Sequence, residues 1–362
     1  MEASAPFELQ EIVKQYQIGK LVGYRQLHLG YVNVSFVVET AIRGKRSKYF
    51  LRKYKRGITA EEIKFEHSVI DHLIEKGFDL VAGVLRTKYG ATYVTRVSDE
   101  GQAIFSAVFD FLPGEDRYTW DDPACSDEEL RNAAGVLAEF HDAVFDASPE
   151  GRRSEPQISD LLPSIAVNVE RKARRAGDTA FDIYFLENRA RIGKDIDRTL
   201  HAIREKGCAK TANLVIHCDY HPGNLKFQDS QVTGLFDFDW SKIDARCFDV
   251  ALALVYFCTA WQGDQDGDFQ LDKAAVFLEA YQSTPSGVGG VGPLDATELA
   301  CLPHMISASN IYVLNWALED FYGKEVDPPE YLRYLRHNVH LMRWLENRDN
   351  WHELRRRAAN AH

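Results

Sequence analysis

The residues best suited to chemistry lie in one short segment, residues 217–224. Its sequence, His-Cys-Asp-Tyr-His-Pro-Gly-Asn, places Asp219 five residues before Asn224. A third residue, Asp237, follows Asn224 by thirteen positions, at the end of an apolar run. Phosphoryl transfer needs a carboxylate near the accepting hydroxyl and oxygen ligands for Mg²⁺ at the nucleotide phosphates. Because Asp219 and Asn224 lie on one loop, one of them can face the acceptor while the other faces a metal ion.

Two short strand-like runs, 225–227 and 232–236, separate Asn224 from Asp237. A hairpin at this place would return the chain and bring Asp237 opposite Asn224. Two hard oxygen ligands suit Mg²⁺ better than a soft transition metal. The structural alternative is a capped turn followed by solvated carboxylates, since the spacing H-x-D-x-x-x-x-N alone is a weak pattern. The hairpin and the apolar strand before Asp237 make the catalytic interpretation the stronger one.

A second candidate comes from a predicted helix near the start of the chain. Residues 21–55 alternate like strands, and Thr59-x-x-Glu62 is a capping box that predicts a helix ending near Gly77. Glu66 falls on the apolar stripe of this helix, between Ile63 and Ile70. A buried carboxylate is costly unless it is paired, so Glu66 calls for a basic partner. The alternative is a carboxylate at the rim of the stripe.

At these residues the sequence resembles the aminoglycoside phosphotransferase / choline kinase family, relatives of protein kinases that phosphorylate small molecules. The resemblance covers about residues 20–260 and is strongest at 215–252. It implies an α+β, bilobal, protein-kinase-like fold with a β-rich N-terminal lobe and a mainly helical C-terminal lobe. The implied boundaries are a nucleotide-binding lobe over 1–112, a hinge at about 109–116, and a catalytic and acceptor-binding lobe over 113–362.

The resemblance assigns roles at the family's positions. The catalytic Asp falls on Asp219, and the metal-binding Asn and Asp fall on Asn224 and Asp237. Asp249 resembles the carboxylate that steadies the catalytic loop through backbone N–H groups. His217 resembles the first residue of that loop, with a scaffolding role.

In the front lobe, the family's basic strand residue falls on Arg52, which would pair with Glu66 and clamp the nucleotide phosphates. Arg52 and Lys53 point to opposite faces of a strand, so only one of them can do this. Arg52 is favoured, and a one-residue bulge would exchange it for Lys53.

Two further segments complete the nucleotide site that the resemblance implies. Gly30 and Asn33 resemble the family's G-x-x-N turn, where backbone N–H groups can face phosphate. Phe-Asp-Phe-Leu-Pro-Gly at 109–114 resembles the hinge whose backbone would bind adenine, which points to Asp110 and Leu112. An edge strand running into a Pro-Gly turn accounts for the same hinge residues without a ligand.

Composition excludes several classes of protein. The 362 residues carry 43 Lys+Arg against 54 Asp+Glu, and a formal charge of −11 argues against a nucleic-acid partner. No apolar run is long enough to cross a membrane, so we expect a cytoplasmic protein. The six cysteines are scattered, and neither a zinc site nor a disulfide framework is expected.

The charge is unevenly distributed along the chain. Residues 1–110 contain 16 basic and 13 acidic side chains, which leaves a net −14 on the remainder. An acidic back lobe is compatible with a cationic acceptor and equally with solubility. Acceptor candidates in that lobe are Trp316, Glu319, Asp320 and Tyr322. More simply, this aromatic helix belongs to the core.

Taken together, the sequence predicts an ATP- and Mg²⁺-dependent kinase acting on a hydroxyl of a small molecule such as an amino alcohol, an amino sugar or homoserine. Two alternatives remain at this level, a Ser/Thr protein kinase of the same fold and a nucleotide-binding pseudokinase. Sequence alone does not decide between ATP and GTP, the oligomeric state, or the role of residues 150–210.

Overall fold

The computed structural model describes residues 7–27, 33–287 and 289–361, and the chain forms two compact units. The first unit contains the described residues up to Gly114 together with Ser148–Arg152 and Thr233–Asp239. The second unit contains Glu115–Ala147, Arg153–Val232 and the described residues from Trp240 onward.

The first unit is built on a five-stranded antiparallel sheet in the order β1-β2-β3-β5-β4. Its elements are α1 (Phe7–Val13), β1 (Lys20–Leu27), β2 (Val34–Ile42), β3 (Lys45–Lys53), α2 (Ala60–Glu75), β4 (Val94–Val97) and β5 (Ala103–Asp110).

Strands β2 and β3 form a tight hairpin, because Ile42 pairs with Lys45 across a two-residue turn. Both turn residues, Arg43 and Gly44, have positive φ, as this tight type of hairpin requires. Helix α2 begins after Thr59, whose hydroxyl accepts from the backbone N–H of Glu62, so the predicted capping box is also present.

One apolar core cluster of the first unit packs α1 against the sheet. Leu9, Ile12 and Val13 of α1 are almost fully buried and cluster with alternate residues of the strands, including Val38 and Leu51. Such alternation leaves the opposite face of β3 free to present polar side chains. Arg52, the neighbour of Leu51, is one of them.

The second unit is mainly helical. Its elements are α3 (Asp127–Ala143), α4 (Ile158–Ala173), α5 (Ala180–Lys206), β6 (Asn213–Ile216), β7 (Leu225–Gln228), β9 (Lys242–Ala245), α6 (Arg246–Cys258), α7 (Leu271–Ser283), α8 (Ala296–Gly323), α9 (Pro328–Glu346) and α10 (Arg348–Ala359). Strands β6 and β9 pair antiparallel, and β7 forms the expected hairpin with β8 (Gln231–Leu235). Helix α6 is buried along its whole length.

A disulfide joins Cys208 and Cys301 in the second unit, with Cα atoms 5.7 Å apart. The expectation that the cysteines form no disulfide is therefore wrong for this pair. The two residues are 93 positions apart, so no local spacing indicated their contact. None of the helices in the described part of the chain combines the length and apolar character needed to cross a membrane.

A buried ion pair links the start of α6 to the start of α8. Arg246 and Glu298 are each about 1% exposed, and the guanidinium Nε donates to Glu298 Oε1 at 3.1 Å. The same guanidinium donates to the carbonyl of Gly292 at 2.6 Å. Arg246 is therefore held by a carboxylate on one side and by main-chain oxygen on the other.

We expect Glu298→Gln to lower the free energy of unfolding by about 3–5 kcal/mol, because it leaves a buried guanidinium without its counter-charge. Urea denaturation measures the change. Glu353→Gln is the matched control, since its partners Arg356 and Arg357 lie at the surface and such pairs contribute little. Equal midpoints for the two variants would contradict the expectation.

Candidate active site

The loop that carries Asp219 is fixed by a buried carboxylate. Asp249, in the first turn of α6, accepts from the backbone N–H groups of His217 and Cys218, both at 2.8 Å. A third contact, 3.1 Å to His141 Nε2, comes from α3. All four residues are essentially fully buried, so these hydrogen bonds are protected from water and set the direction in which the chain leaves β6.

Asp219 and Asn224 meet within this loop. The amide Nδ2 of Asn224 donates to Asp219 Oδ2 at 3.0 Å and to the Asp219 carbonyl at 2.9 Å. With the nitrogen engaged, Oδ1 is the atom of this amide that can coordinate a cation. The other Asp219 oxygen, Oδ1, accepts a hydrogen bond from the hydroxyl of Tyr256, a residue of α6, at 3.3 Å.

His221 adds an electrostatic contribution to Asp219. Its Nδ1 accepts from the N–H of Gly223 at 3.0 Å, so in the neutral ring the proton lies on Nε2, which is 3.6 Å from Asp219 Oδ2. Burial alone would raise the pKa of Asp219, but His221, His217 and the Asn224 amide together hold it below its ordinary value. Asp219 is therefore a carboxylate at neutral pH.

The first unit contains a second polar cluster, centred on Arg52. This side chain is 5% exposed and lies between two carboxylates, with one nitrogen 2.9 Å from Glu66 Oε1 and another 2.9 Å from Asp237 Oδ1. Burial opposes the charge, yet Asp237 and Glu66 raise the pKa of Arg52 above its ordinary value. Lys53, by contrast, pairs with Glu8 at 2.8 Å and is 24% exposed.

Two uncharged side chains, Tyr54 and His67, hold Glu66 in place through a chain of hydrogen bonds. The hydroxyl of Tyr54 donates to Glu66 Oε2 at 2.8 Å and lies 2.9 Å from His67 Nε2, which then donates to that hydroxyl. Burial, with help from the Arg52 charge, lowers the pKa of His67 to about 3, so the imidazole is neutral. The carboxylate of Glu66 is thereby fixed in place without a second cation.

The Arg52 cluster carries more negative than positive charge. Asp239 is also buried, and its Oδ2 accepts from Asn33 Nδ2 at 2.7 Å, while its Oδ1 has no hydrogen-bond partner among the described residues. Three carboxylates therefore face one guanidinium. Such an excess suits a divalent cation, and Asp237, with a φ of 70°, is held in a backbone conformation that a non-glycine residue adopts at a cost.

Within the described ranges, no three His, Cys, Asp or Glu side chains converge as a complete metal cage. At nucleotide sites Mg²⁺ is typically held by one or two carboxylates, with phosphate oxygens and water as the other ligands. The donors present, carboxylate and amide oxygens, fit that ion.

Two further segments are predicted to take part in the nucleotide site, the turn with Gly30 and Asn33 and the hinge after β5. Gly30 lies outside the described residues, and Asn33 is engaged with Asp239 and with the backbone N–H of Lys55. At the predicted hinge, β5 ends at Asp110, and Leu112 is buried against Gly234 so closely that a Cβ there would come within 3.0 Å of it. Substituting Gly234 would therefore displace Leu112.

The acidic residues of α8 are engaged elsewhere. Glu319 pairs with the buried Lys172 at 2.8 Å, and Asp320 pairs with Lys324 at 2.8 Å. Tyr322 donates to Asp182 at 2.6 Å. Each of the two carboxylates is therefore balanced by a lysine. Trp316, the other candidate on α8, packs against aromatic rings.

Several site residues escaped the sequence analysis. Tyr54 is two positions after Arg52 and so on the same side of an extended chain, and Tyr256 is seven positions after Asp249 and so on the same face of α6. Both spacings are visible in the sequence and could have identified these two tyrosines as site residues. The contacts of His141 with Asp249 and of His221 with Asp219 depend on the tertiary fold or the loop conformation, and no spacing announces them.

The chain is similar to known proteins in both sequence and fold. Residues 23–283 match the model of the phosphotransferase enzyme family. Homoserine kinases from Bradyrhizobium sp. and Parvibaculum lavamentivorans are 27% and 26% identical, over 91% of this chain and 91% and 92% of theirs.

Among solved structures, an amicoumacin kinase with AMP-PNP and Ca²⁺ aligns with a TM-score of 0.68 at 15% identity, covering 94% of each chain. A microcompartment-associated aminopropanol kinase aligns with a TM-score of 0.64 at 15% identity, covering 94% of this chain and 96% of the other.

Fold and site define a kinase of the protein-kinase-like architecture, as predicted. The chain belongs to the phosphotransferase enzyme family. It is an ATP- and Mg²⁺-dependent enzyme that transfers a phosphoryl group to a hydroxyl of a small molecule.

The geometry predicts that Arg52 and Lys53 differ sharply in importance. Arg52→Gln should lower kcat/KM for ATP by about 100-fold, since it removes the guanidinium that two carboxylates hold in place. Lys53→Gln, one residue away and paired at the surface, should change it less than threefold. Steady-state kinetics with varied ATP, with circular dichroism to verify folding, measures both. A larger loss in Lys53→Gln would reverse the assignment.

Proposed function

We propose that Asp219 orients the acceptor hydroxyl and accepts its proton as the phosphoryl group is transferred. The observation that carries this is the loop itself, in which Asp249 holds two backbone N–H groups and Asp219 is kept ionised by His221. A positioned carboxylate with a depressed pKa is a weak base on its own. It serves here because proton loss from the hydroxyl follows phosphoryl transfer in a loose transition state.

On the nucleotide side, we propose that Asn224 and Asp237 hold Mg²⁺ and that Arg52, positioned by Glu66, clamps the phosphates. Two observations support these roles: the amide nitrogen of Asn224 donates to Asp219, which assigns metal binding to its oxygen, and negative charge is in excess around Arg52. The metal ion neutralises charge on the transferred phosphate. Arg52 contributes a charged donor that does not have to be reorganised when ATP binds.

The nucleotide would be bound chiefly by residues 1–112, with the backbone of Asp110 and Leu112 as the adenine contact, and the acceptor by residues 113–362. The end of β5 at Asp110 supports this for the residues that follow the strand, since the N–H of Asp110 itself already donates to the carbonyl of Gly83 at 2.9 Å.

For the acceptor, we propose L-homoserine. The relatives named as homoserine kinases support it over nine-tenths of the chain. An amino alcohol is the second candidate, favoured by the net negative charge of the part of the chain after residue 110. We further propose that the enzyme works in the cytosol, where ATP is abundant, although the Cys208–Cys301 disulfide is unusual for a reducing compartment.

Asp219→Asn should lower kcat by at least about 10³-fold while the Kd for ATP changes little, because the carboxylate acts on the acceptor side. A coupled assay of ADP formation with L-homoserine and isothermal titration with ATP measure the two quantities. Asp229→Asn, an exposed carboxylate in the β7–β8 turn, is the matched control.

Unchanged turnover in Asp219→Asn would remove this residue from catalysis. A parallel loss of ATP affinity would instead assign it to the nucleotide side. If label from ATP entered protein rather than the small molecule, the enzyme would be a protein kinase of the same fold.

A further inference from the structure

Four aromatic side chains, Trp120, Trp261, Trp316 and Tyr334, form what we call the aromatic cluster of the second unit. The ring of Trp120 lies at its centre, with centroid distances of 5.1 Å to Trp261, 5.7 Å to Trp316 and 4.5 Å to Tyr334. The rings come from the segment after residue 115, from the segment that follows α6, from α8 and from α9. Four separate parts of the chain thus converge here.

The aromatic cluster is continuous with the catalytic loop. Trp120 lies 6.3 Å from the ring of Tyr256, whose hydroxyl donates to Asp219 Oδ1. The next residue back, Thr119, approaches the loop so closely that a Cβ on Gly223 would be 3.3 Å from its Cα. A small molecule whose hydroxyl meets Asp219 would therefore extend toward this cluster.

An ion pair borders the aromatic cluster. Arg333 of α9 donates to a carboxylate oxygen of Asp121, the residue after Trp120. The guanidinium carbon of Arg333 lies 5.3 Å from the Trp261 ring and 5.7 Å from the Tyr334 ring. The two side chains are 48% and 22% exposed, so the pair itself contributes little to stability and can exchange partners at low cost.

A second observation points to a ligand at this place. Trp261 Nε1 is buried and has no hydrogen-bond partner among the described residues. A buried indole N–H normally has one. Trp261 is the ring over which Arg333 lies, so an unsatisfied donor and a cation occur together.

We propose that Arg333 and Asp121 bind the carboxylate and the ammonium of an α-amino acid acceptor, with Trp261 Nε1 donating to the same carboxylate. The proposal rests on the proposed function, since it assigns recognition at the acceptor site. In the ligand-free enzyme each charged side chain neutralises the other, and the zwitterionic acceptor replaces both contacts with new ones. An acceptor that lacks the carboxylate would leave Arg333 and the indole N–H without that partner, which is the basis of discrimination.

The test compares three acceptors that share one hydroxyl: L-homoserine, 3-amino-1-propanol, which lacks the carboxylate, and 4-hydroxybutanoate, which lacks the ammonium. For Arg333→Gln we expect the ratio of kcat/KM for L-homoserine to that for 3-amino-1-propanol to fall by about 50-fold, with the loss in KM rather than kcat. Asp121→Asn should lower the same ratio taken against 4-hydroxybutanoate. Arg336→Gln, on the same helix and packed against Tyr184 instead, is the control and should change neither ratio.

Equal losses for all three acceptors in Arg333→Gln, or an equal change of the ratio in Arg336→Gln, would overturn the proposal while leaving the proposed function intact. Wild-type enzyme that phosphorylates none of the three would overturn the proposed acceptor and this inference together. Arg333→Lys, which keeps the charge but loses the bidentate geometry, should recover part of the preference for L-homoserine.

Discussion

A guanidinium buried between two carboxylates is the constraint on which the proposed nucleotide site depends. Arg52 is placed by β3, Glu66 by α2, and Asp237 by a segment that joins the first unit from far along the chain. Replacing either carboxylate would remove one of the two charge-assisted contacts that hold the guanidinium in its buried position. The three elements are thus held in register by one side chain, and the negative excess that remains is what a nucleotide-bound Mg²⁺ can neutralise.

The proposed acceptor site depends on a different buried carboxylate, that of Asp249. Asp249 accepts hydrogen bonds from two backbone N–H groups and contacts the imidazole of His141. These contacts fix the loop without the help of a ligand. Asp219 then needs only local contacts, with Asn224, His221 and Tyr256, to be ionised and oriented. Asp219 already contacts Asn224, His221 and Tyr256, so the proposed catalysis draws on geometry that folding has established.

Much of this was predictable from the sequence, where the signal was periodic or local. The stripe of α2 identified Glu66, strand alternation separated Arg52 from Lys53, and the spacing of Asp219, Asn224 and Asp237 indicated the chemistry. Contacts between distant segments are not indicated by any periodic or local pattern in the sequence. The Cys208–Cys301 disulfide, the contact of Trp120 with Trp261, and the pairing of Glu319 with Lys172 all depend on tertiary packing that no spacing in the sequence encodes. The acidic surplus after residue 110 is accordingly a weaker guide to the acceptor than the few charges that border the aromatic cluster.

The central claim, phosphoryl transfer from ATP to the hydroxyl of L-homoserine, is tested most directly by following the reaction with ³¹P nuclear magnetic resonance. The wild-type enzyme with ATP, Mg²⁺ and L-homoserine should produce ADP and one phosphomonoester signal in equal amounts, and chelation of the metal should abolish both. ADP accompanied by inorganic phosphate alone, or ATP that stays intact, would contradict the account.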